Sequence, residues 1–471
     1  MVRFVSLFLL PAISFPLLAA EPTWPQFRGP GALGVADDQT LPVNFGLTQN
    51  VKWKVPVPPG FSSPIVVGNK LVLTAFDGGK LFTIAYSRLD GKELWRAEAP
   101  SKKIEAYHKT ESSPAASTPV TDGERIVVYF GSSGLFCYDL SGKELWRYET
   151  ATAITPFDFG SGVSPVIADG KVILVRDQKF EPNMLAIDVK TGSKIWEVRR
   201  DGFGSGWCTP AIWDTPDGKQ IAIPGTGRMV GYDLKTGSEK WTVRGMPSAA
   251  CASPIVVDGN LIYCGWSPGD DFKLPTFAEL LKDADKNGNG ALDRDEAATT
   301  FIKDFFDNND PNKDGKITAE EWAENLKYMS KGTNSAFVLR PGGTGDITKS
   351  HVVWKETKGL PYVPSPLVYR GQIYTINMRG LISARELKTG KEVFLDENIG
   401  LTGVYSSPVA ANGHIYIFGL DGTALVLKPG DIPDVVHRAK LGERIAATPA
   451  IADNALYVRT AKQLIAFTEM K

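Results

Sequence analysis

Eight Ser-Pro or Thr-Pro pairs, each heading an apolar run, recur along this 471-residue chain. A fixed period of this length commits a chain to a repeat architecture before any residue is read singly. The pairs are Ser63-Pro64, Thr118-Pro119, Ser164-Pro165, Thr209-Pro210, Ser253-Pro254, Ser365-Pro366, Ser407-Pro408 and Thr448-Pro449. Successive prolines lie 41 to 55 residues apart except between Pro254 and Pro366, where the interval is 112. The excess holds the helix-like sequence of the chain beyond its first twenty residues. A repeat protein has been split by an insertion.

Within a unit, a β-branched run follows the Pro, then a Gly-containing turn and a second alternating run, as in Pro64-Ile65-Val66-Val67-Gly68-Asn69-Lys70-Leu71-Val72-Leu73. Two strands joined by a hairpin are expected. A third strand ends in Asp and a Thr-Gly or Ser-Gly turn, with Trp four residues beyond the Gly. Asp90, Gly91 and Trp95 show this, as do Asp139, Gly142 and Trp146, Asp188, Gly192 and Trp196, and Asp233, Gly237 and Trp241. Four strands and one large aromatic at a fixed place describe a propeller blade whose Trp packs against the next blade. The last unit ends without a Trp-bearing fourth strand, whereas an orphan strand, Val51 to Val55, precedes the first unit and contains Trp53. Joining first strand to last blade closes the ring and removes its open edges. The fold class is therefore all-β, an eight-bladed β-propeller with a small α-helical pair inserted in blade 5.

The Ala-x-Asp-x-x-Thr-Gly-x-x-x-Trp type of motif and the opening Trp24-Pro25-Gln26-Phe27-Arg28-Gly29-Pro30 resemble the PQQ-like eight-bladed propellers, a family with BamB-like and quinoprotein-dehydrogenase-like members. The resemblance covers nearly the whole chain after its first twenty residues. Phe394 stands in place of the Trp in the sixth blade, and the seventh has Lys428-Pro429-Gly430 with no aromatic there. Gly-His and Trp-Asp, the marks of WD-type propellers, occur once each, at Gly413-His414 and Trp213-Asp214, and do not recur with the period.

With 52 basic and 53 acidic residues, the chain has no electrostatic footprint for nucleic acid or an anionic membrane. Residues 1–20 run from Arg3 through the apolar stretch Phe4 to Leu18, broken by Pro11 and Pro16, to Ala19-Ala20. They are expected to be a secretory signal, too short and too Pro-broken to span a membrane. No Cys follows the expected cut, so no lipid anchor is expected and the mature chain is placed in the periplasm or outside the cell, as a monomer. Cys137, Cys208, Cys251 and Cys264 are few for an exported chain of this length and are expected as buried thiols. Cys251 and Cys264 flank one hairpin and are the best-placed pair for a disulfide. A turn at Asp258-Gly259 puts them two positions out of register, and no bond is assigned.

The sequence divides into the signal, 1–20, a first propeller part, 21–265, the insertion, 266–334, and a second propeller part, 335–471. Inside the insertion two stretches fit the twelve-residue EF-hand loop, which binds calcium through oxygens at positions 1, 3, 5, 7, 9 and 12 around a Gly at 6. The first offers Asp285, Asn287, Asn289, Ala291 through its carbonyl, Asp293 and Glu296; the second offers Asp310, Asn312, Asp314, Lys316 through its carbonyl, Thr318 and Glu321. Two calcium ions are expected. Leu292 and Ile317, each at position 8, should pair. Phe277, Leu280, Leu281 and Ala284 share one helical face, as do Ala298, Phe301, Ile302, Phe305 and Phe306, and Trp322, Leu326 and Met329. The loops start only 25 residues apart, so the connecting segment should serve as outgoing helix of one hand and incoming helix of the next.

The loops leading into the first strands converge on one end of the ring and carry Phe61, His108, Lys109, Glu111, Asp158, Phe159, Trp207, Tyr362 and Tyr405. This mixture suits an unidentified protein, peptide or small ligand. The quinoprotein dehydrogenases of the resembled family are expected to hold a quinone beside adjacent cysteines. No adjacent Cys pair and no Cys-x-x-Cys-His haem attachment occurs here. PQQ is not expected, no catalytic residue is named, and the sequence favours a calcium-binding scaffold over a quinone-dependent dehydrogenase.

Overall fold

The computed structural model describes residues 23–267, 275–303, 306–310, 312–329 and 332–470. The expected signal lies outside them. Eight blades form a closed ring among the described residues, each a four-stranded antiparallel meander, with a further short strand added to two of them. Blade 1 comprises Ile65–Val67, Lys70–Asp77, Lys80–Ser87 and Glu93–Ala99. The first strands line the axis, and each begins at a Ser-Pro or Thr-Pro pair, where the missing proline N–H is harmless.

Those pairs also join the blades to one another. In seven of the eight junctions among the described residues, the Ser or Thr backbone N–H donates to the hydroxyl of its counterpart in the next blade. Ser63 reaches Thr118 at 3.1 Å, Ser365 reaches Ser407 at 3.0 Å, and Thr448 returns to Ser63 at 3.0 Å; the links from Thr118, Thr209, Ser253 and Ser407 complete the set. The period of the sequence is thus a belt of hydrogen bonds around the axis.

Ring closure follows the expected route. Val51–Pro56 pairs antiparallel with Gln463–Thr468, with Trp53 opposite Ala466 and Val55 opposite Leu464. Arg459 of the last blade is buried and donates to Ser62 and Thr74 carbonyls of the first at 3.0 and 2.9 Å. In blade 7 the place of the Trp is taken by His437, opposite Val426, and Phe45 of the N-terminal segment packs against its ring, fully buried against Phe467, Tyr416 and Phe418 as well.

Trp241 departs from the expected docking. Its indole N–H turns to Gln220 of its own blade at 2.6 Å, while Trp213 reaches the Gly259 carbonyl in blade 5 at 2.9 Å. The third strand of blade 5 runs into Pro341-Gly342-Gly343 rather than an Asp-x-x-Gly turn. It therefore offers no such platform, and Gly345–Asp346 instead pairs parallel to the outer edge of blade 4.

Blade 5 pairs Asn260–Gly265 with Ser335–Leu339, Gly265 opposite Ser335, so the insertion leaves from the tip of a hairpin. Its helices are α1 (Phe277–Ala284), α2 (Arg294–Ala297), α3 (Phe306–Asn309) and α4 (Ala319–Met329). Thr276 and Glu279 form a capping box that starts α1. Leu280, Leu292, Ile302, Phe306, Ile317 and Trp322 close a small core of the module's own. The segment between the loops is not one shared helix as expected. Thr299 and Thr300 turn their hydroxyls back onto the carbonyls of Glu296 and Ala297, both at 2.8 Å, and such bonds compete with helix propagation. Two short helices result, and Phe301 is exposed rather than on the core face; Phe305 lies outside the described residues.

Candidate functional site

The two EF-hand-like loops share left-handed φ at positions 4 and 6, Gly288 and Gly290 in the first and Lys313 and Gly315 in the second. Leu292 lies opposite Ile317 and Asp293 opposite Lys316 in a two-residue antiparallel bridge. Asp285 accepts the N–H groups of Gly288 and Gly290 at 2.7 and 3.0 Å, and Asp310 accepts those of Asp314 and Gly315 at 3.1 and 2.9 Å. Gly290 and Gly315, at position 6, have φ of 76° and 85°, a region where a side chain is strained. Asn287 and Asn289 reach the Asp293 carboxylate in the first loop, and Asn312 reaches Asp314 in the second. Glu296 and Glu321 fold back onto the N–H groups of Asp293 and Thr318 at 3.0 and 2.9 Å. Glu321 Oε1 is buried without a hydrogen-bond partner, as suits a position-12 oxygen turned toward a cation. Among the described residues no three His, Cys, Asp or Glu side chains cluster as a metal group. An EF-hand draws part of its shell from Asn side chains and a main-chain carbonyl, and these loops are built that way.

The second site is a cavity of about 180 Å³ on the axis. Its base carries the hydroxyls of the Ser/Thr belt. Its walls are Phe61, Phe159, Trp207, Tyr362 and Tyr405, and Glu111 is the one charged side chain lining it. Six of the nine residues expected at this end are thus brought together. His108 stands behind them with its ring 5.7 Å from that of Phe159. Asp158 lies in the short 3-10 helix Pro156–Asp158, and Lys109 is exposed at the rim.

The floor was not foreseen. Thr23–Trp24 pairs with the axial strand of blade 1, Trp24 opposite Val66. The chain then turns through Arg28-Gly29, and Val35 bridges to Ala410 of blade 7. The segment enters the channel from the base and returns to it, and Phe27 at its tip lines the cavity. Gly29, at φ 72°, allows the turn: a Cβ there would lie 2.5 Å from the Trp24 ring. Arg28 is fully buried beside it, donating to the Leu33 carbonyl at 3.0 Å, and burial lowers its pKa to about 9.

Polar groups fix the rings. The Trp207 indole donates to the Gly160 carbonyl at 2.7 Å, and its ring meets Phe159 edge-on with centroids 6.0 Å apart. Tyr405 donates to Glu111 Oε2 at 3.0 Å, and burial together with that carboxylate pushes its pKa well up. Burial holds the Tyr362 phenol and the Cys251 thiol beside it in their neutral forms, the thiol pushed up to about 12. All four cysteines are free thiols, so the Cys251–Cys264 pairing considered above is not made. Cys251 lines the cavity while Cys264 packs into the blade 5 core with Ile255 and Val338.

The two sites approach one another. Helix α3 packs against Pro156–Asp158, whose Phe157 and Asp158 both have left-handed φ, 54° and 51°. Asp310, position 1 of the second loop, follows α3 directly, and Phe159 of the cavity wall follows Asp158.

The family model described as outer membrane protein assembly factor BamB matches residues 46–153 and 82–265. Over the matched residues 46–265 the propeller is PQQ-like and BamB-like. An EF-hand model matches residues 302–327 of the insertion, which contain the second loop. No curated protein matches the chain. Among solved structures, BamB from Moraxella catarrhalis is 15% identical, with a TM-score of 0.54 over 88% of this chain and 96% of that one. A europium-containing methanol dehydrogenase is 11% identical, with a TM-score of 0.62 over 95% and 98%. A quinohemoprotein alcohol dehydrogenase from Pseudomonas putida is 12% identical, with a TM-score of 0.56 over 95% and 81%. These likenesses carry the fold. No helix among the described residues is long and apolar enough to cross a membrane.

Proposed function

We propose that this propeller is an exported, calcium-binding protein that acts as a binding or assembly scaffold, with the axial cavity as its binding site. The observation that carries the reading is the cavity itself, a blind, ring-lined pocket whose floor is the chain's own Phe27. The layout proposed is a signal over 1–20, propeller parts over 21–265 and 335–471, and a calcium module over 266–334. Two ions would be held by Asp285, Asn287, Asn289, Ala291, Asp293 and Glu296, and by Asp310, Asn312, Asp314, Lys316, Thr318 and Glu321. Export is supported by the leader-like first twenty residues and by the outer-membrane role in the printed name of the matching family. Through α3 and Pro156–Asp158, calcium would brace the wall that carries Phe159.

The alternative is a quinone-dependent dehydrogenase, which the methanol dehydrogenase likeness brings to mind. PQQ is a tricarboxylate, and the lining residues do not suit it. Glu111 would repel its carboxylates, ring faces are electronegative, and no basic side chain lines the cavity. The test is an assay of the purified protein with PQQ, calcium, alcohols or sugars and an artificial electron acceptor. No substrate-dependent reduction is expected; robust activity that vanishes without the quinone would replace the scaffold with the enzyme.

A further inference from the structure

We infer that the axial cavity takes a small organic cation, a methylated or alkylated ammonium group. The inference deepens the binding reading above and rests on it.

Six rings line the cavity, those of Phe27, Phe61, Phe159, Trp207, Tyr362 and Tyr405. Their π faces are electronegative, and a cage of such faces attracts an ammonium ion that water solvates poorly once it carries methyl groups. Glu111 supplies the formal counter-charge. Its carboxylate is oriented by the Tyr405 hydroxyl, and it is the one charged side chain in the lining. The neighbouring phenols and the Cys251 thiol stay neutral, so a guest meets one anion and no cation in the wall itself.

The protein already lays one cation on this cage. The Arg444 guanidinium carbon lies 5.6 Å from the Phe61 centroid and 5.7 Å from that of Tyr405. Arg444 is not a lining residue, and among the described residues the rings of Phe27, Phe159, Trp207 and Tyr362 have no cation of the protein's own. Below them seven of the eight belt hydroxyls accept a backbone N–H and keep an O–H to donate, which suits a cation bearing a hydroxyl or carbonyl tail. A volume of about 180 Å³ admits a headgroup of that size rather than a polymer.

The experiment is calorimetric titration of the full-length, calcium-loaded protein with choline, with 3,3-dimethylbutan-1-ol, its uncharged isostere, and with glucose. Choline is expected to bind on the order of tenfold more tightly than the isostere. Glu111→Gln, a rim substitution outside the core, should weaken choline about fivefold or more and leave the isostere unchanged, and Trp207→Phe should weaken choline alone. Equal binding of choline and the isostere overturns the cation and leaves an apolar binding site. Glucose binding without choline binding also overturns it, leaving the scaffold reading with a saccharide guest. Silence from all three overturns it as well, and the calcium and quinone assays then judge the scaffold reading separately.

Discussion

Trp146 of blade 2 lies flat on Gly192 of blade 3: a Cβ at 192 would sit 2.7 Å from the indole Cδ2, and the indole N–H reaches the Val189 carbonyl at 3.0 Å. The same contact joins Trp53 to Gly91, Trp95 to Gly142, Trp196 to Gly237 and Trp354 to Gly390. Each Gly has a φ between 72° and 87°, so the Asp-x-x-Thr-Gly turn serves as a platform for the preceding blade. Gly192→Ala should cost about 1–3 kcal/mol through overlap and strain, and Trp146→Ala about 3–5 kcal/mol. Urea unfolding checks both; a neutral Gly192→Ala would mean that the platform does not hold the blades.

This contact shows what a sequence of this kind makes legible. The Trp and Gly recur at fixed offsets because five of the eight junctions are built on the same pair, and Leu292 and Ile317 pair because both loops share one geometry. The funnel rings were readable because they stand just before the first strands. Phe27 was not, since its place depends on a segment entering the channel from the base, a long-range event without local pattern. Trp241 kept the spacing of the motif but lost its partner, because blade 5 ends its third strand at Pro341-Gly342-Gly343. The shared connecting helix failed at Thr299 and Thr300, where apolar periodicity continued but side-chain hydrogen bonds ended the helix.

Two calcium ions per chain are expected. Glu296→Gln or Glu321→Gln removes an anionic oxygen pair from one loop and should weaken that site by at least about tenfold while leaving the other detectable. Calorimetry reads both steps. A wild-type protein that gives no calcium-dependent heat would dismiss the module as a metal site.

Glu105 lies under the cavity wall, accepting the Ser161 N–H at 3.1 Å. Burial pushes its pKa up from 4.5 to about 7, against the stabilising hydrogen bonds from Ser161. A carboxyl raised on folding contributes most below its unfolded pKa, and that contribution falls away as pH rises through the folded one. Between pH 4.5 and 7 the loss should be on the order of 3 kcal/mol. In Glu105→Gln this slope should vanish, as the difference in unfolding free energy between the two proteins across that window would show. Parallel profiles would place Glu105 in water-like surroundings.

Arg200 and Asp177 form a buried bidentate pair at 2.6 and 2.8 Å, with Tyr232 accepting a further Arg200 N–H at 2.8 Å and Phe203 beneath the guanidinium at 4.2 Å. Asp177→Ala strands the cation and should cost about 3–5 kcal/mol, whereas replacing both residues with apolar ones of similar volume should cost much less. Equal losses in the single and double variants would show that the pair acts through packing alone.

On the proposed function, the calcium module braces the binding cavity rather than standing apart from it. Amide hydrogen exchange on the full-length protein, with calcium and with a chelator, tests this most directly. Calcium should slow exchange in residues 285–296 and 310–321, and also at Gly160, Ser161 and Gly162, whose N–H groups lie in the loop that α3 supports. Protection confined to the module, with residues 156–163 unchanged, would contradict the account and make calcium a local stabiliser.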